Sequence, residues 1–140
     1  MVKLKWQYKN GEVSEKTPPS SVYGFVYELT LKDGKRYLGK KAFWSVTKKK
    51  LTQKEIDAME NKRLKKWKLV IKEAKWRDYT SSSKLFGSRE VTEKRIVALA
   101  KSKRHLTYLE TKFMFQEDVL ENEIYLNDNI GGRFFADKLI

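Results

Sequence analysis

Along the first eight residues apolar and polar side chains alternate. Val2, Leu4, Trp6 and Tyr8 are interleaved with Lys3, Lys5 and Gln7. A period of two marks a strand with one buried face. Asn10-Gly11 supplies a two-residue turn and Glu12-Val13-Ser14 begins a return, so residues 1–16 predict a β-hairpin. Thr17-Pro18-Pro19-Ser20-Ser21 punctuates the chain. Residues 22–31 are rich in β-branched and aromatic side chains. Asp33-Gly34 then turns the chain and Arg36-Tyr37-Leu38-Gly39 returns. This predicts a second hairpin ending at Gly39, where backbone can approach a ligand closely.

The pattern changes after residue 44. Thr52 and Glu55 form a capping-box pair, Ile56 and Met59 stand at i, i+3, and Leu64, Trp67, Ile71 and Ala74 follow at helical spacing. Residues 45–77 therefore predict one or two amphipathic basic helices with a break near Asn61. Trp67 and Trp76 are expected to pack. Residues 79–90 are Ser-rich and predict a loop with room for one short helical turn. Val91, Ile96, Val97 and Leu99 favour a strand over 91–99, with a helix as the alternative. Leu106, Leu109, Phe113, Val119 and Leu120 give residues 105–121 an apolar helical face, with Glu110 at its edge. Residues 124–135 predict an irregular, turn-rich segment that returns aromatics to the core.

Composition narrows the class. With 140 residues and 13% aromatics the chain can bury a real core, and a single domain over 1–140 is expected. There is no Cys, which excludes a disulfide scaffold and a thiolate zinc site; His105 is the sole histidine. No apolar run approaches the ~20 residues that span a bilayer, and no signal-peptide core opens the chain. A soluble, cytoplasmic protein with no membrane partner is expected. Lys and Arg number 31 against 18 acids, a net charge of +13. Residues 45–77 hold twelve basic residues against four acids. Such a balance favours a polyanion, with nucleic acid first. Lys48, Lys49, Lys50, Lys62, Arg63, Lys65, Lys66, Lys68 and Arg77 are the candidate phosphate contacts, and Ser82 and Ser83 are candidate donors.

Several motifs recur in a telling order. They are Phe25-Val26-Tyr27, then Tyr37-Leu38-Gly39-Lys40-Lys41, then Trp76-Arg77-Asp78-Tyr79, then Leu106-Thr107-Tyr108-Leu109-Glu110, and last Tyr125-Leu126-Asn127 with Gly131-Gly132. With these, residues 23–135 resemble the GIY-YIG nuclease superfamily, and within it the phage-encoded, Seg-like homing endonucleases. The resemblance implies an α+β fold: a small three-stranded mixed or antiparallel sheet flanked by helices. To this the chain adds the N-terminal hairpin and the basic helical insertion. It implies a metal-dependent DNA endonuclease with Mg²⁺ or Mn²⁺ as cofactor and double-stranded DNA as partner, monomeric or homodimeric, acting in the host cytoplasm if phage-encoded. Carried over by position, Tyr27 and Tyr37 are the motif tyrosines, Glu110 the metal ligand and Asn127 a supporting asparagine. The family's catalytic arginine has no match, since residues 40–62 contain no Arg. Lys40, Lys41 or Arg77 is then the substitute, with Lys41 favoured. That departure motivates an alternative, a catalytically degenerate DNA-binding protein of the same fold. A basic RNA- or ribosome-binding protein is a third reading. All three share the charge, and only the first requires cleavage.

Overall fold

The computed structural model describes residues 4–9, 11–13, 16, 18–61, 66–80, 86 and 89–139. Trp6–Tyr8 (β1) pairs antiparallel with Gly11–Glu12 (β2), Tyr8 standing opposite Gly11. Gly11 is therefore in the return strand rather than at the turn, and Lys9 takes a left-handed φ of 56° at the reversal. Gly24–Leu31 (β3) and Arg36–Ala42 (β4) form the second hairpin, with Gly34 at φ 88°. The returning strand does not end at Gly39. Its ladder runs on through Lys40 opposite Val26 and Ala42 opposite Gly24.

The basic stretch is not a helical insertion. Trp44–Lys50 (β5) and Trp67–Glu73 (β6) pair antiparallel as a two-stranded sheet of their own. Between them only Gln53–Asp57 (α1) is helical among the described residues, closed by the Thr52–Glu55 capping box. The reason lies in the period. Trp67, Leu69 and Ile71 recur every second residue, a pattern hidden beneath the helical spacing of Leu64, Trp67, Ile71 and Ala74. Cross-strand partners such as Val46 and Ile71 then favour the pleated form.

Val91–Ala100 (β7) is a strand, and it lies at the centre of the main sheet, whose order is β2-β1-β7-β3-β4. β1 runs parallel to β7 and the other pairings are antiparallel. The sheet has five strands rather than three, because Trp6–Tyr8 dock beside Lys94–Ile96, a pairing with no local signal. Lys103–Gln116 (α2) is capped by Ser102, whose hydroxyl accepts from the His105 amide. It ends five residues sooner than the apolar pattern predicts, and Asp118 turns the chain at φ 50°. Asn129–Ile130 (β8) and Phe134–Phe135 (β9) form a small hairpin through Gly131 and Gly132, both at positive φ.

Two layers bury the two faces of the sheet. On one, Val26, Leu38 and Ala100 meet Leu106 and Met114 of α2. On the other, Phe25, Tyr27, Leu29 and Leu31 meet Trp6, Phe43, Trp76 and Phe86. This second layer is aromatic and is closed by loops. Trp6 packs edge-on to Phe25 at 4.9 Å between centroids, and Phe43 to Trp76 at 5.0 Å. Its polar tips are satisfied: Trp6 Nε1 donates to the Trp76 carbonyl at 2.8 Å. Trp76 is thus core, whereas Trp67 is half-buried on β6 beneath the Lys48 ammonium. No helix among the described residues is long and apolar enough to cross a membrane.

Candidate active site

Alternation along β4 decides which side chains meet. Leu38 and Lys40 stand opposite Glu28 and Val26, on the face that α2 covers. Gly39 and Lys41 stand opposite Tyr27 and Phe25, on the aromatic face. The two neighbouring lysines therefore serve different sides. Lys40 Nζ lies 3.1 Å from Thr107 Oγ1 and 3.9 Å from Glu110 Oε1. Lys41 Nζ sits over the Tyr79 ring, 4.5 Å from its centre.

On α2, Thr107, Glu110, Thr111 and Met114 fall at i, i+3, i+4 and i+7, one stripe of the helix. That stripe lines one side of a cleft of about 390 Å³, which Lys40, Tyr37 and the 127–132 segment complete. The Glu110 side chain keeps only 15% of its exposure. Burial pushes its carboxyl above the ordinary value, and the Lys40 ammonium opposes that rise. The cleft thus holds a desolvated carboxylate next to a cation.

Asn127 builds the opposite wall. Residues 124–126 run parallel to β4, with Arg36 N donating to the Ile124 carbonyl and Leu126 N to the Arg36 carbonyl. The next rung is made by a side chain. Leu38 N donates to Asn127 Oδ1 at 3.0 Å, and Asn127 Nδ2 donates to the Leu38 carbonyl at 2.8 Å. The carboxamide stands in for a peptide unit and continues the ladder while the backbone turns away. Nearby, the Tyr125 hydroxyl donates to Glu28 at 2.8 Å; burial and that carboxylate push its pKa upward.

The two motif tyrosines part company. Both follow the alternation of the aromatic face, but β4 is the outer strand, and Tyr37 lines the cleft as well as meeting Phe86 at 5.1 Å. Tyr27 is 2% exposed, packed against Trp6 and Tyr79, and does not line the cleft. Its hydroxyl lies over Gly39, where an added Cβ would collide with it, so glycine is required at that position. The structure brings together Tyr37, Lys40, Glu110 and Asn127, and it turns Tyr27 and Lys41 to the other side.

The phosphate-contact candidates lie mainly on the β5–β6 ribbon. Lys48 caps Trp67 at 4.4 Å, Lys49, Lys50 and Lys66 are exposed, and Lys68 donates to Glu55 at 2.7 Å. The bond from Lys68 and those from Thr52 hold the Glu55 carboxyl down at about 2. Arg77 pairs with Glu73 at 2.6 Å and stacks on Trp76. Lys62, Arg63, Lys65, Ser82 and Ser83 lie outside the described residues.

Thr111, Asp128 and Asn129 also line the cleft and carry no motif signal, and Thr107 lines it too, although its motif assigns it no role. The spacing of the two threonines around Glu110 and the adjacency of Asp128 to Asn127 were the available signals. Glu110 and Asp128 give the cleft two carboxylates among hydroxyl and amide oxygens, although no group of three His, Cys, Asp or Glu residues forms among the described residues. An all-oxygen set with one or two carboxylates suits Mg²⁺, which keeps several of its waters.

A family model described as "Putative endonuclease segE, GIY-YIG domain" matches residues 6–130, from the first strand of the sheet to the wall of the cleft. The chain belongs to this family: it is a GIY-YIG endonuclease domain of the Seg-like branch. No curated protein and no solved structure gives a significant match.

Proposed function

We propose that this chain is an endonuclease that hydrolyses phosphodiester bonds of double-stranded DNA with the help of Mg²⁺ or Mn²⁺. One observation carries the reading: Glu110 is withdrawn from water beside Lys40, in a cleft large enough for a sugar–phosphate link. Glu110, with Asp128 on the facing segment, would hold the ion. Bound there, a divalent cation supplies Lewis-acid stabilisation of charge on the phosphoryl oxygens. The Lys40 ammonium meets charge that develops on a non-bridging oxygen. The Tyr37 hydroxyl orients the attacking water, since it is the motif phenol that lines the cleft. Asn127 positions the wall, its Oδ1 and one Nδ2 hydrogen engaged with Leu38. The net charge of +13 draws the polyanion in.

The burial of Tyr27 and the turning away of Lys41 favour a second reading, a domain that binds DNA and no longer cuts it. Supercoiled plasmid with Mg²⁺, Mn²⁺ or EDTA separates the two. The enzyme reading expects metal-dependent nicking that falls about 10²–10³-fold in Lys40→Met, as for the loss of one transition-state donor, and disappears in Glu110→Gln. Intact plasmid at protein concentrations that saturate binding would leave only the non-cutting domain.

A further inference from the structure

We infer that the β5–β6 ribbon is an arm that lays one particular face into the major groove of duplex DNA. The inference takes its ligand from the endonuclease reading above and adds which element grips it, with which side chains and in which groove.

The register sorts the ribbon into two faces. Trp44, Val46, Lys48 and Lys50 stand opposite Glu73, Ile71, Leu69 and Trp67, and alternation puts these on one side. This side is largely apolar, and its sole acid, Glu73, is held by Trp76 Nε1 and Arg77 at the root. The other side carries Ser45, Thr47 and Lys49 opposite Lys72, Val70 and Lys68. It has three lysines, two hydroxyls, one compact aliphatic group and no acid. Those are the groups that reach phosphates and base edges in a groove, with the aliphatic group suited to a thymine methyl.

The charge arrangement points the same way. Lys49 stands directly across from Lys68, and like charges so placed repel. Lys68 is answered by Glu55 at 2.7 Å. Neither Lys49 nor Lys72 has a carboxylate partner among the described residues. A polyanion against this face supplies the counter-charge that Lys49 and Lys72 lack among the described residues of the fold.

Dimensions select the groove. Two strands ~4.8 Å apart and seven residues long make a ribbon ~23 Å in length. The major groove of B-DNA, about 12 Å wide, admits such a ribbon as it stands, whereas the minor groove, about 6 Å wide, takes one only if the duplex is first widened and bent, at a deformation cost. The deep, narrow major groove of duplex RNA does not admit it.

The test is binding of the full chain to a labelled DNA duplex in EDTA, read by fluorescence anisotropy across a salt series. Lys49→Glu with Lys72→Glu should weaken binding at least tenfold and lower the slope of log K against log salt by about 2. Val46→Thr with Ile71→Thr, on the far side, should change neither. With wild-type protein, a duplex whose cytosines carry bulky C5 substituents should bind more weakly, and a minor-groove ligand should not compete. Unchanged affinity in the lysine variant, equal losses from both faces, competition by the minor-groove ligand, or tighter binding to an RNA duplex of the same sequence each overturns the inference. Failure of the endonuclease reading looks different: ribbon-dependent binding would persist while plasmid stayed uncut with either metal.

Discussion

Glu110 and Lys94 are ionisable groups that the fold has desolvated, and each leaves a signature in the pH dependence of stability. Glu110 titrates at 4.5 when unfolded and higher when folded. The folded chain keeps that proton to higher pH, so stability falls as pH rises across the window and stays reduced above it. Glu110→Gln removes the penalty. At pH 7 its Tm should exceed that of wild type, since the desolvation of the carboxylate outweighs its attraction to Lys40. The gap should close on acidification below the ordinary carboxylate value. Added Mg²⁺ or Mn²⁺ should raise the wild-type Tm and leave the variant unmoved; thermal melts with and without metal check both.

Lys94 is 2% exposed. Its Nζ donates to the Arg77 carbonyl at 3.1 Å and lies 4.4 Å from the centre of the Trp6 ring. Burial lowers its pKa from 10.5 and the Asp78 carboxylate opposes the fall. Here the folded chain releases the proton first, so stability rises with pH from the lowered value up to 10.5. Lys94→Met lacks that slope. Urea titrations from neutral pH upward should show the stability difference moving steadily in favour of wild type.

Among the elements, the outer strand β4 depends on one carboxamide. Asn127→Ala deletes both bonds to Leu38 and leaves two buried backbone groups without partners, at a cost of about 2–4 kcal/mol. Asn127→Asp keeps the acceptor for Leu38 N but turns an oxygen toward the Leu38 carbonyl, so it should destabilise at least as much near neutral pH and recover in acid. Amide exchange at Leu38 should report the loss before global unfolding does. These elements also mark how far local pattern reaches. The β3–β4 hairpin was legible because its run and its Asp-Gly turn are both local. The apolar edge of α2 located Glu110. The β5–β6 ribbon was not legible, since Trp67 and Ile71 fit a period of two and a helical spacing equally well. What decides there is a partner strand some twenty residues away. The docking of β1 beside β7 escaped for the same reason.

For the whole molecule, the net +13 sets the character of any encounter with DNA. If about six phosphates are neutralised, affinity should drop roughly 10³-fold between low and moderate salt. A nearly flat salt dependence, measured on wild type, would contradict phosphate contact altogether. The site was legible at this scale only in part. Sequence order supplied Tyr37, Glu110 and Asn127, but not the fact that α2 covers the face to which Lys40, and not Lys41, points. Nor did it supply Asp128, which reaches the cleft only because the 124–127 segment returns along β4.

The consecutive lysines of β4 carry one last implication. On an outermost strand a slip of one position exchanges inside for outside. A solitary cation would then leave its acid stranded, whereas a doublet hands the role to its neighbour. Here that exchange is blocked, because it would carry Lys40 beneath the Tyr27 hydroxyl, where only glycine fits; Gly39 thereby fixes which of the two lysines stands beside Glu110.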